Sequence, residues 1–513
     1  TLLRVKNRNM LFTQVVTHSA SVDSSVEDSL RMTSIIINYC IIMKILLLFC
    51  FAILSLTPCS ATIWNVGQTR QYTKPSAVSS LVRDGDTVQI DAGIYPEDVA
   101  HWTANDLLLT GVGGMAHLKS NGKSWGSKAI WVIGGKNTTV AYIEFSECAV
   151  PDANGAGIRL EAADLTVQHC YFHDNQDGIL AGDNPESNIV IEYSEFARNG
   201  AGDGQSHNLY INHVQSLTFR YNYSHHAVVG HELKSRAYSN YILYNRLSNE
   251  SDGTASREID LPNGGLAVIM GNEIQQGPKT ENSNIIGYGL EGLSNPVPHE
   301  VFLINNTIVN DRSAGSFLNI KDGTARCFIR NTIFAGTGSV LVGKATIVDT
   351  SHNWNGSVAA AGFISAGNYN YGLLATSPAI NLGTDVGIVD NIPLTPSREY
   401  KHPKSFIEKK FQDSIDCGAH EYLGAIGVDE ALQNENGITV FPNPSNGDFT
   451  VQLSTETSYE RINLIDPLGR NVARGTLTGN RYQFSVQDLP NGVYYLYLQQ
   501  NNQLVTRTVV IAR

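Results

Sequence analysis

The sequence predicts an all-β protein whose main part is a solenoid of parallel β coils. Three segments share one pattern, in which an aliphatic residue stands between polar or charged residues. These segments are 206–210, 230–236 and 257–262, and their aliphatic residues are Leu209, Leu233 and Ile259. They recur about every 25 residues, an interval typical of coiled repeats. Since side chains alternate along a strand, the aliphatic residues are expected to face the core and their immediate neighbours the solvent.

A second repeat supports the same architecture over a longer part of the chain. Its positions are Ile143, Cys170, Ser194, Asn222, Asn245, Asn272, Asn306 and Asn331, at intervals between 23 and 34 residues. Unequal intervals are typical of solenoids, because the strands keep their length while one turn accepts insertions. The five Asn residues are predicted to be structural, stacked so that their amides pair along the solenoid axis.

The composition limits the possible classes of function. Charged residues make up 16% of the 513 residues, and the formal net charge is −12. Such a chain lacks the basic surface that nucleic-acid binding requires, so no nucleic-acid partner is expected. Few charges and abundant glycine favour a β-rich extracellular protein over a helical cytosolic one.

The first 61 residues contain two distinct parts. Residues 1–42 show no clear hydrophobic period, and we interpret them as translated upstream sequence that is not native to the protein. Residues 43–61 have a basic start, a short apolar run and a small residue at their end, which predicts a secretory signal peptide. The run is too short for a transmembrane helix, so no membrane span is predicted in the mature chain. Lipoprotein anchoring at Cys59 is the competing interpretation, which Pro58 disfavours.

Residues 62–423 are assigned to the solenoid. The opening segments 85–90 and 92–95 resemble the start of right-handed parallel β-helix proteins of the pectate-lyase-like superfamily. The segments 377–383 and 416–422 are similar to the closing segment of secreted β-helix proteins. This resemblance implies a right-handed parallel β-helix as the fold.

The last 90 residues are expected to fold separately. Residues 424–437 form a polar linker, and 438–513 contain short alternating strands between Gly, Pro and Asn turns, which predicts a small antiparallel β-sandwich. The motifs at 440–444, 465–470 and 489–495 resemble the C-terminal sorting domain of the Bacteroidota type IX secretion system. The resemblance implies the type IX machinery as a partner and a secreted or surface-attached protein.

Charged side chains gather on three successive coils of the predicted solenoid. Stacked in register, they would form one outward column of Asn208, Glu232 and Glu258 and a second column of Tyr210, Lys234 and Asp260. Neighbours within a column would lie about 4.8 Å apart. Arg236 points the same way as Lys234 on one strand. Such a concentration of charge on a chain with few charges predicts a functional site.

Histidines crowd the same coils. His207 and His231 have the strand parity of core residues but stand where strands begin, so they could turn towards the groove wall, and His226 lies close to them in sequence. Packing, turn hydrogen bonds and a role as general acid or base all remain open for these side chains. A zinc site is a further option, which the absence of helical spacing between the histidines disfavours.

The segment 232–245 resembles the Lys-Ser-x and Asn-x-Ile-x-Tyr-Asn stretch of the alginate lyase and chondroitin B lyase family. That resemblance implies Lys234 as the base that removes the C5 proton of a uronate, with calcium neutralising the substrate carboxylate. The candidate calcium ligands are Asn208, Glu232 and Glu258, whose oxygen atoms suit this ion.

Two departures from the family pattern bear on the site. Where the family has acids before its lysine, this chain has Ala227 and Val229. Where the family has its arginine, this chain has residues 261–263, Leu-Pro-Asn, so Arg236 or Arg257 would have to replace it.

We therefore predict a secreted polysaccharide lyase that cleaves an acidic, uronate-containing polysaccharide by β-elimination. The predicted catalytic residues are Lys234, Arg236, Tyr210, His231 and Arg257. The predicted substrate-binding residues are Arg159, His207, His226 and Asp260. Two alternatives remain open: a glycoside hydrolase that uses carboxylates on the same scaffold, and a non-catalytic adhesin or glycan-binding solenoid.

Overall fold

The computed structural model describes residues 29, 31–44, 61–423, 438–443, 445–453, 461–466, 470–475, 479–500 and 503–512. The chain divides into two compact units, Thr1–Ala61 and Thr62–Arg513. In the first unit, residues 31–44 are helical and exposed. Most of the predicted signal peptide, and the predicted linker at 424–437, lie outside the described residues. Within the described part of the chain, no helix is both long enough and apolar enough to cross a bilayer.

Parallel strands make up most of the second unit, in one sheet of 21 strands and one of 10 strands among the described residues. The larger sheet bends at a corner, and we call its two parts sheets 1 and 2 and the smaller sheet sheet 3. The strands Thr87–Pro96 and Leu108–Lys119 pass through this corner, so their residues from Gly93 and Ala116 onwards belong to sheet 2. Sheet 1 contains the strands Ile63–Val66, Thr87–Pro96, Leu108–Lys119, Thr138–Ala141, Leu165–Gln168, Asn184–Glu192, Val214–Arg220, Ser239–Leu243, Leu266–Met270, Glu300–Ile304, Thr324–Arg330 and Ala345–Ser351. Sheet 2 contains Ile143–Ser146, Tyr171–His173, Glu195–Ala197, Tyr223–His225, Arg246–Ser248, Glu273–Gln276, Thr307–Asn310, Ile333–Gly336 and Trp354–Gly356. Sheet 3 contains Ala100–Trp102, Ala129–Ile133, Ala156–Leu160, Asp177–Ala181, Leu209–Ile211, Leu233–Ser235, Ile259–Leu261, Asn284–Tyr288, Ser316–Ile320 and Ser339–Val342. The predicted all-β solenoid of parallel coils is confirmed.

The core of the solenoid is a set of stacked columns of apolar side chains. Leu209, Leu233 and Ile259 are fully buried in it, as their position in the repeat predicts. Phe145, Phe172 and Phe196 stack on one another with ring centroids 4.9 Å apart at each step. This distance matches the spacing of about 4.8 Å between neighbouring strands. The side chains of successive coils therefore pack directly on one another in register.

The predicted ladder of asparagines lies inside the corner between sheets 1 and 2. The amides of Asn222, Asn245, Asn272 and Asn306 are buried and linked, with Nδ2 to Oδ1 distances of 3.2, 3.0 and 2.9 Å. The last predicted member was wrong. Asn331 has a positive φ of 52° and occupies the corner itself, and the Oγ1 of Thr332 accepts from the backbone N–H of Asn306 in its place.

Replacing Asn245 with Ala is expected to lower the free energy of unfolding by about 3 kcal/mol, because several buried backbone and side-chain groups lose their partner. The Asn245 amide donates to the carbonyl of Phe219 at 2.8 Å and accepts from the backbone N–H of Asn222 at 2.9 Å. Urea unfolding of the purified chain measures the change. Asn355→Ala, at an exposed position of the last sheet 2 strand, is the matched control and should cost little. Equal costs for the two variants would contradict a stabilising role for the ladder.

Among the described residues, three small antiparallel pairs and three 3-10 helices accompany the coils. The pairs are Phe363–Ser365 with Asn370–Leu373, Ile388–Val389 with Ile392–Pro393, and Arg398–Lys401 with Ser405–Glu408. The 3-10 helices are Pro75–Ala77, Val358–Ala361 and Ala366–Asn368. The segment 398–420, which contains the last pair, lies against the outer face of sheet 2. There Lys404 pairs with Glu195, and His420 pairs with Glu273.

Two antiparallel sheets form the C-terminal part. Three strands build the first sheet, Ile438–Phe441, Asp448–Leu453 and Arg481–Ser485, and four build the second, Arg461–Ile465, Asn471–Gly475, Gly492–Gln500 and Gln503–Ile511. Their inward side chains, Phe449, Val451, Ile462, Leu464, Leu496 and Leu498 among them, form a hydrophobic core of their own. This arrangement agrees with the predicted antiparallel sandwich.

Candidate active site

The outward column predicted on the three charged coils is present on sheet 3. Tyr210 pairs in register with Lys234, and Lys234 with Asp260. The next residue in the column is Gly287, where a Cβ atom would lie only 3.0 Å from the Oδ1 of Asp260. The absence of a side chain at Gly287 therefore leaves room for the Asp260 carboxylate. We call the outer face of sheet 3 along this column the groove.

Lys234 and Arg236 converge on one carboxylate that the sequence analysis did not identify. The Nζ of Lys234 lies 3.2 Å from Oε1 of Glu291, and the Nη2 of Arg236 lies 2.7 Å from Oε2. Although partial burial opposes it, these cations lower the pKa of Glu291. The Glu291 side chain is 48% exposed, whereas the Lys234 and Arg236 side chains are 13% and 16% exposed. The largely buried Lys234 and Arg236 thus bind the carboxylate of Glu291 on the solvent-exposed side of the sheet.

Arg236 is fixed by two further hydrogen bonds. Its Nε donates to the phenol oxygen of Tyr210 at 3.0 Å, and its Nη1 donates to Oδ1 of Asn263 at 2.5 Å. Because Arg236 uses one acceptor position of the Tyr210 oxygen, the hydroxyl hydrogen remains available for another group. The guanidinium is therefore held in one orientation at the groove.

Asp260 lies beneath the two cations rather than in the open groove. Its side chain is 2% exposed, and its Oδ1 accepts from Nη1 of Arg257 at 3.0 Å. Its Oδ2 lies 3.5 Å from Nε2 of His231 and 3.8 Å from Nζ of Lys234. Burial raises the pKa of Asp260, although Arg257 and Lys234 oppose this shift. Of the two arginines predicted as catalytic candidates, Arg236 faces the groove while Arg257 pairs with Asp260.

His207 and His231 form a stacked pair behind the groove, with ring centroids 4.8 Å apart. The Nδ1 of His207 accepts from the backbone N–H of His231, and the Nδ1 of His231 accepts from that of Arg257. Each neutral ring therefore carries its proton on Nε2. Burial lowers the pKa of His207 to about 3 and lowers that of His231 well below its ordinary value. His231 thus presents an N–H to Asp260, and His207 forms part of the wall behind Tyr210.

The predicted outward column of Asn208, Glu232 and Glu258 was wrong in direction. All three side chains are fully buried. Each residue stands just before its three-residue strand begins, so the alternation of a strand does not extend to it. The backbone turns there between sheets 2 and 3 and directs these side chains into the corner of the solenoid.

The buried column also does not fit calcium. The Glu232 carboxylate accepts from Nδ2 of Asn208 at 2.5 Å, from the backbone N–H of Ala227 at 2.9 Å and from Oγ of Ser224 at 3.0 Å. Calcium requires six to eight oxygen ligands, but Asn208 turns its NH₂ group, rather than its oxygen, towards the carboxylate. Glu258 accepts from Nδ2 of Asn249, and its Oε2 has no partner among the described residues. Hydrogen-bond donors rather than oxygen ligands therefore surround the Glu232 carboxylate in this corner.

Of the predicted substrate-binding residues, His226 lies away from the groove, whereas Arg159 lies along it. His226 is not brought to the groove, because its ring contacts His225 at 2.8 Å and Asp252 at 3.1 Å beside sheet 2. Arg159 lies in the same column as Tyr210, two strands away, with Leu180 between them. It lines a polar pocket of 310 Å³ together with Tyr210, Asp177, Asp203, Gln205 and Asn212. The Nε of Arg159 is buried and has no hydrogen-bond partner within the described chain.

Glu291 and Asn263 were not predicted from the sequence as site residues. Glu291 belongs to an insertion after the sheet 3 strand Asn284–Tyr288, and Asn295 anchors that insertion by donating to the carbonyls of Arg236, Ala237 and Gly264. The interval of 34 residues between Asn272 and Asn306, the longest in the repeat, was the available signal for an insertion here.

Two family models match the chain. The model described as "Right handed beta helix region" matches residues 105–285, and the "Secretion system C-terminal sorting domain" matches residues 439–512. No curated protein sequence matches the chain.

Several solved structures match the chain at low similarity. Pectin methylesterase PemA from Erwinia chrysanthemi has 13% identity and a TM-score of 0.27, with 43% of this chain and 81% of that chain covered. A pectin methylesterase mutant in complex with hexasaccharide IV has 12% identity and a TM-score of 0.29, with 43% and 80% covered. ORF18 of Geobacillus virus E2 has 10% identity and a TM-score of 0.29, with 85% and 82% covered. At such TM-scores these likenesses support no conclusion about activity.

The sorting domain implies secretion or attachment at the outer surface through type IX sorting. The matched coils, the three parallel sheets and the antiparallel C-terminal part agree with the two family models. The chain is thus a right-handed parallel β-helix protein that carries a C-terminal sorting domain of the type IX secretion system.

Proposed function

We propose that the protein is a secreted, carbohydrate-active β-helix that cleaves a uronate-containing polysaccharide by β-elimination. The observation that carries this proposal is the convergence of Lys234 and Arg236 on the carboxylate of Glu291. Glu291 is the most exposed member of the cluster and occupies the position where a substrate carboxylate would be held. Its contacts are a template for how the groove would recognise a uronate.

The elimination requires a base, a carboxylate-binding group and a proton for the leaving oxygen. In the proposed reaction, Nζ of Lys234 takes the C5 proton, the electron pair forms the C4–C5 double bond, and the C4–O bond breaks. Arg236 holds the uronate carboxylate and stabilises the negative charge that develops on it. The free hydroxyl hydrogen of Tyr210 then goes to the leaving oxygen.

Displacement of Glu291 by the substrate is part of this proposal. In the free protein, Lys234 lies between the carboxylates of Asp260 and Glu291. A uronate that displaces Glu291 would place its own carboxylate against Lys234 and Arg236.

Arg159 extends the groove along the axis of the solenoid. It stands three strands from Lys234, about 14 Å at the usual strand spacing. The guanidinium of Arg159, rather than the aspartates that line the same pocket, would contact a second carboxylate of the same polymer. The groove therefore suits an oligosaccharide with repeated negative charges better than a single sugar.

Hydrolysis is the less favoured alternative. It requires two carboxyl groups on either side of the glycosidic bond. Asp260 is nearly inaccessible and is held by Arg257, so it would not reach a bond in the groove. The test is a panel of alginate, pectate, glucuronan and glycosaminoglycans, followed by the ultraviolet absorbance of an unsaturated uronate. New reducing ends without that absorbance would indicate hydrolysis and would overturn the lyase proposal.

Replacing Glu291 with Gln is expected to lower KM for the acidic substrate about threefold at low salt, because a partly exposed ion pair is worth less than about 1 kcal/mol. The amide keeps the size of the side chain but competes more weakly for Lys234 and Arg236. Steady-state kinetics measure KM, with Glu281→Gln, at an exposed position of a neighbouring turn, as the control. A large increase in KM would instead indicate that Glu291 itself contacts the substrate.

A further inference from the structure

Three potential metal ligands meet on the outer face of sheet 2. Glu144 is flanked in register by His117 on one side and Tyr171 on the other, and His173 follows Tyr171 by two residues on the same strand. The Nδ1 of His117 lies 3.4 Å from Oε1 of Glu144, and the Nε2 of His173 lies 3.0 Å from the same oxygen. All three ligand atoms lie within 4.8 Å of one another.

These distances are close to those of a tetrahedral site. Zinc binds imidazole nitrogen and carboxylate oxygen at about 2.0 to 2.2 Å, which places two tetrahedral ligands about 3.3 Å apart. The two distances to Glu144 already lie near this value. Small rotations of the imidazole rings would therefore suffice to bring the three ligand atoms around one ion.

The second nitrogen of each imidazole has its own partner. The Nε2 of His117 lies 2.7 Å from Oγ of Ser146, and the Nδ1 of His173 lies 2.6 Å from Oδ2 of Asp174. Asp174 is held in turn by Arg198, whose Nε and Nη2 each donate to it at 3.0 Å. When these outer nitrogens carry the protons, both inner nitrogens present lone pairs towards Glu144. Partners of this kind orient the histidine ligands of metal sites.

The charges around the cluster permit a cation. Lys119 pairs with Glu147 at 3.2 Å, and Lys404 pairs with Glu195 at 3.4 Å, so each nearby lysine has a carboxylate partner. The side chains of His117, Glu144 and His173 are between 15% and 23% exposed, which leaves one side open to solvent. A water molecule could thus complete the coordination of an ion bound there.

We propose that His117, Glu144 and His173 bind one divalent transition metal ion, zinc by preference, with an open fourth position. Two imidazoles and one carboxylate suit zinc better than calcium or magnesium, which prefer oxygen ligands. The site lies on sheet 2, whereas the groove of Lys234 lies on sheet 3, so it is separate from the proposed lyase centre.

The test uses the full chain, freed of metal by a chelator and dialysis, and titrated with zinc chloride in a calorimeter. We expect one zinc ion per chain and, with cobalt chloride, visible absorption bands of a four-coordinate ion. The double variant His117→Ala/His173→Ala should bind zinc at least 100-fold more weakly, and Asp174→Asn about 10-fold more weakly. His169→Ala, which removes an imidazole stacked between Tyr142 and Tyr193, should bind as the parent chain does.

Glu144→Gln provides a second variant that keeps the size of the side chain, and its thermal unfolding without metal verifies the fold. It should lose zinc affinity while its melting temperature stays near that of the parent chain. If the parent chain binds no zinc at micromolar concentrations, or if the double variant binds it as tightly, the proposal is overturned.

Discussion

Replacing Lys234 with Ala is expected to lower kcat/KM for the acidic polysaccharide about 1,000-fold, within the range of general-base catalysis. Nζ of Lys234 is the amine that the groove presents beside Arg236 and Tyr210, and a methyl group cannot accept the C5 proton. The fold should tolerate the change, because Asp260 keeps its hydrogen bond from Arg257. Initial rates of formation of the unsaturated uronate measure the effect.

Two further variants test whether Lys234 acts as a base or only as a positive charge. Lys234→Arg keeps the charge but cannot act as a base near neutral pH, so it should be almost as inactive as Lys234→Ala. Lys119→Ala removes a lysine from sheet 2 that pairs with Glu147, and it should retain full activity. Substantial activity in Lys234→Arg would contradict the assignment of Lys234 as the base.

The second large effect is expected in the pH dependence of stability. Burial raises the pKa of Glu232 to about 8 and raises that of Glu258 well above its ordinary value. Three donors contact the Glu232 carboxylate, whereas Oε2 of Glu258 has no partner among the described residues, so Glu258 is the acid of this pair that we expect to retain a proton. The folded state retains a proton here that the unfolded chain loses above its ordinary glutamate pKa of 4.5.

The sign of the dependence follows from this difference in bound protons. The stabilisation is fully present below the unfolded pKa and is lost as the pH rises through the folded pKa. For one proton, the free energy of unfolding should fall by about 1.4 kcal/mol for each pH unit in that window. Urea unfolding between pH 5 and pH 8 measures the slope.

Glu258→Gln separates this pair from the other titrating groups. The amide has no proton to lose, as in the neutral acid. The fall in the free energy of unfolding per pH unit should therefore be smaller in the variant by about 1.4 kcal/mol, the contribution of one proton. The comparison is needed because His207 and His231 act in the opposite direction, since the unfolded chain takes up protons on them as the pH falls. Glu281→Gln, at an exposed position, should leave the slope unchanged. Parallel slopes in Glu258→Gln and the parent chain would mean that Glu258 is ionised in the folded protein.

The site residues that lie on regular strands were predicted correctly from the sequence. Leu209, Leu233 and Ile259 begin regular strands, so the alternation of side chains correctly placed Tyr210, Lys234 and Asp260 in one outward column. The coil repeat then set the register, because parallel strands stack their equivalent residues.

The errors arose at corners, where the alternation of strands does not apply. Asn208, Glu232 and Glu258 precede their strands by one residue, and the turn directs them inward. At the other corner, a shift of one residue placed Thr332 rather than Asn331 in the buried ladder. Corner geometry depends on the length of the turn, which varies from coil to coil.

The position of Glu291 beside Lys234 and Arg236 could not be predicted from the sequence for a different reason. The long interval between Asn272 and Asn306 indicated an insertion, but the path of an insertion depends on tertiary contacts such as those of Asn295. The contact with Lys234 and Arg236 joins residues more than 50 positions apart in sequence. Such a contact follows from no local pattern.

The most direct test of the proposed chemistry is the mass of the products formed in water enriched in heavy oxygen. Elimination breaks the C4–O bond without adding water, so we expect fragments that carry an unsaturated uronate and no heavy oxygen at the cleavage site. Products that contain one heavy oxygen for each bond cleaved would contradict elimination at the Lys234 groove and would establish hydrolysis instead.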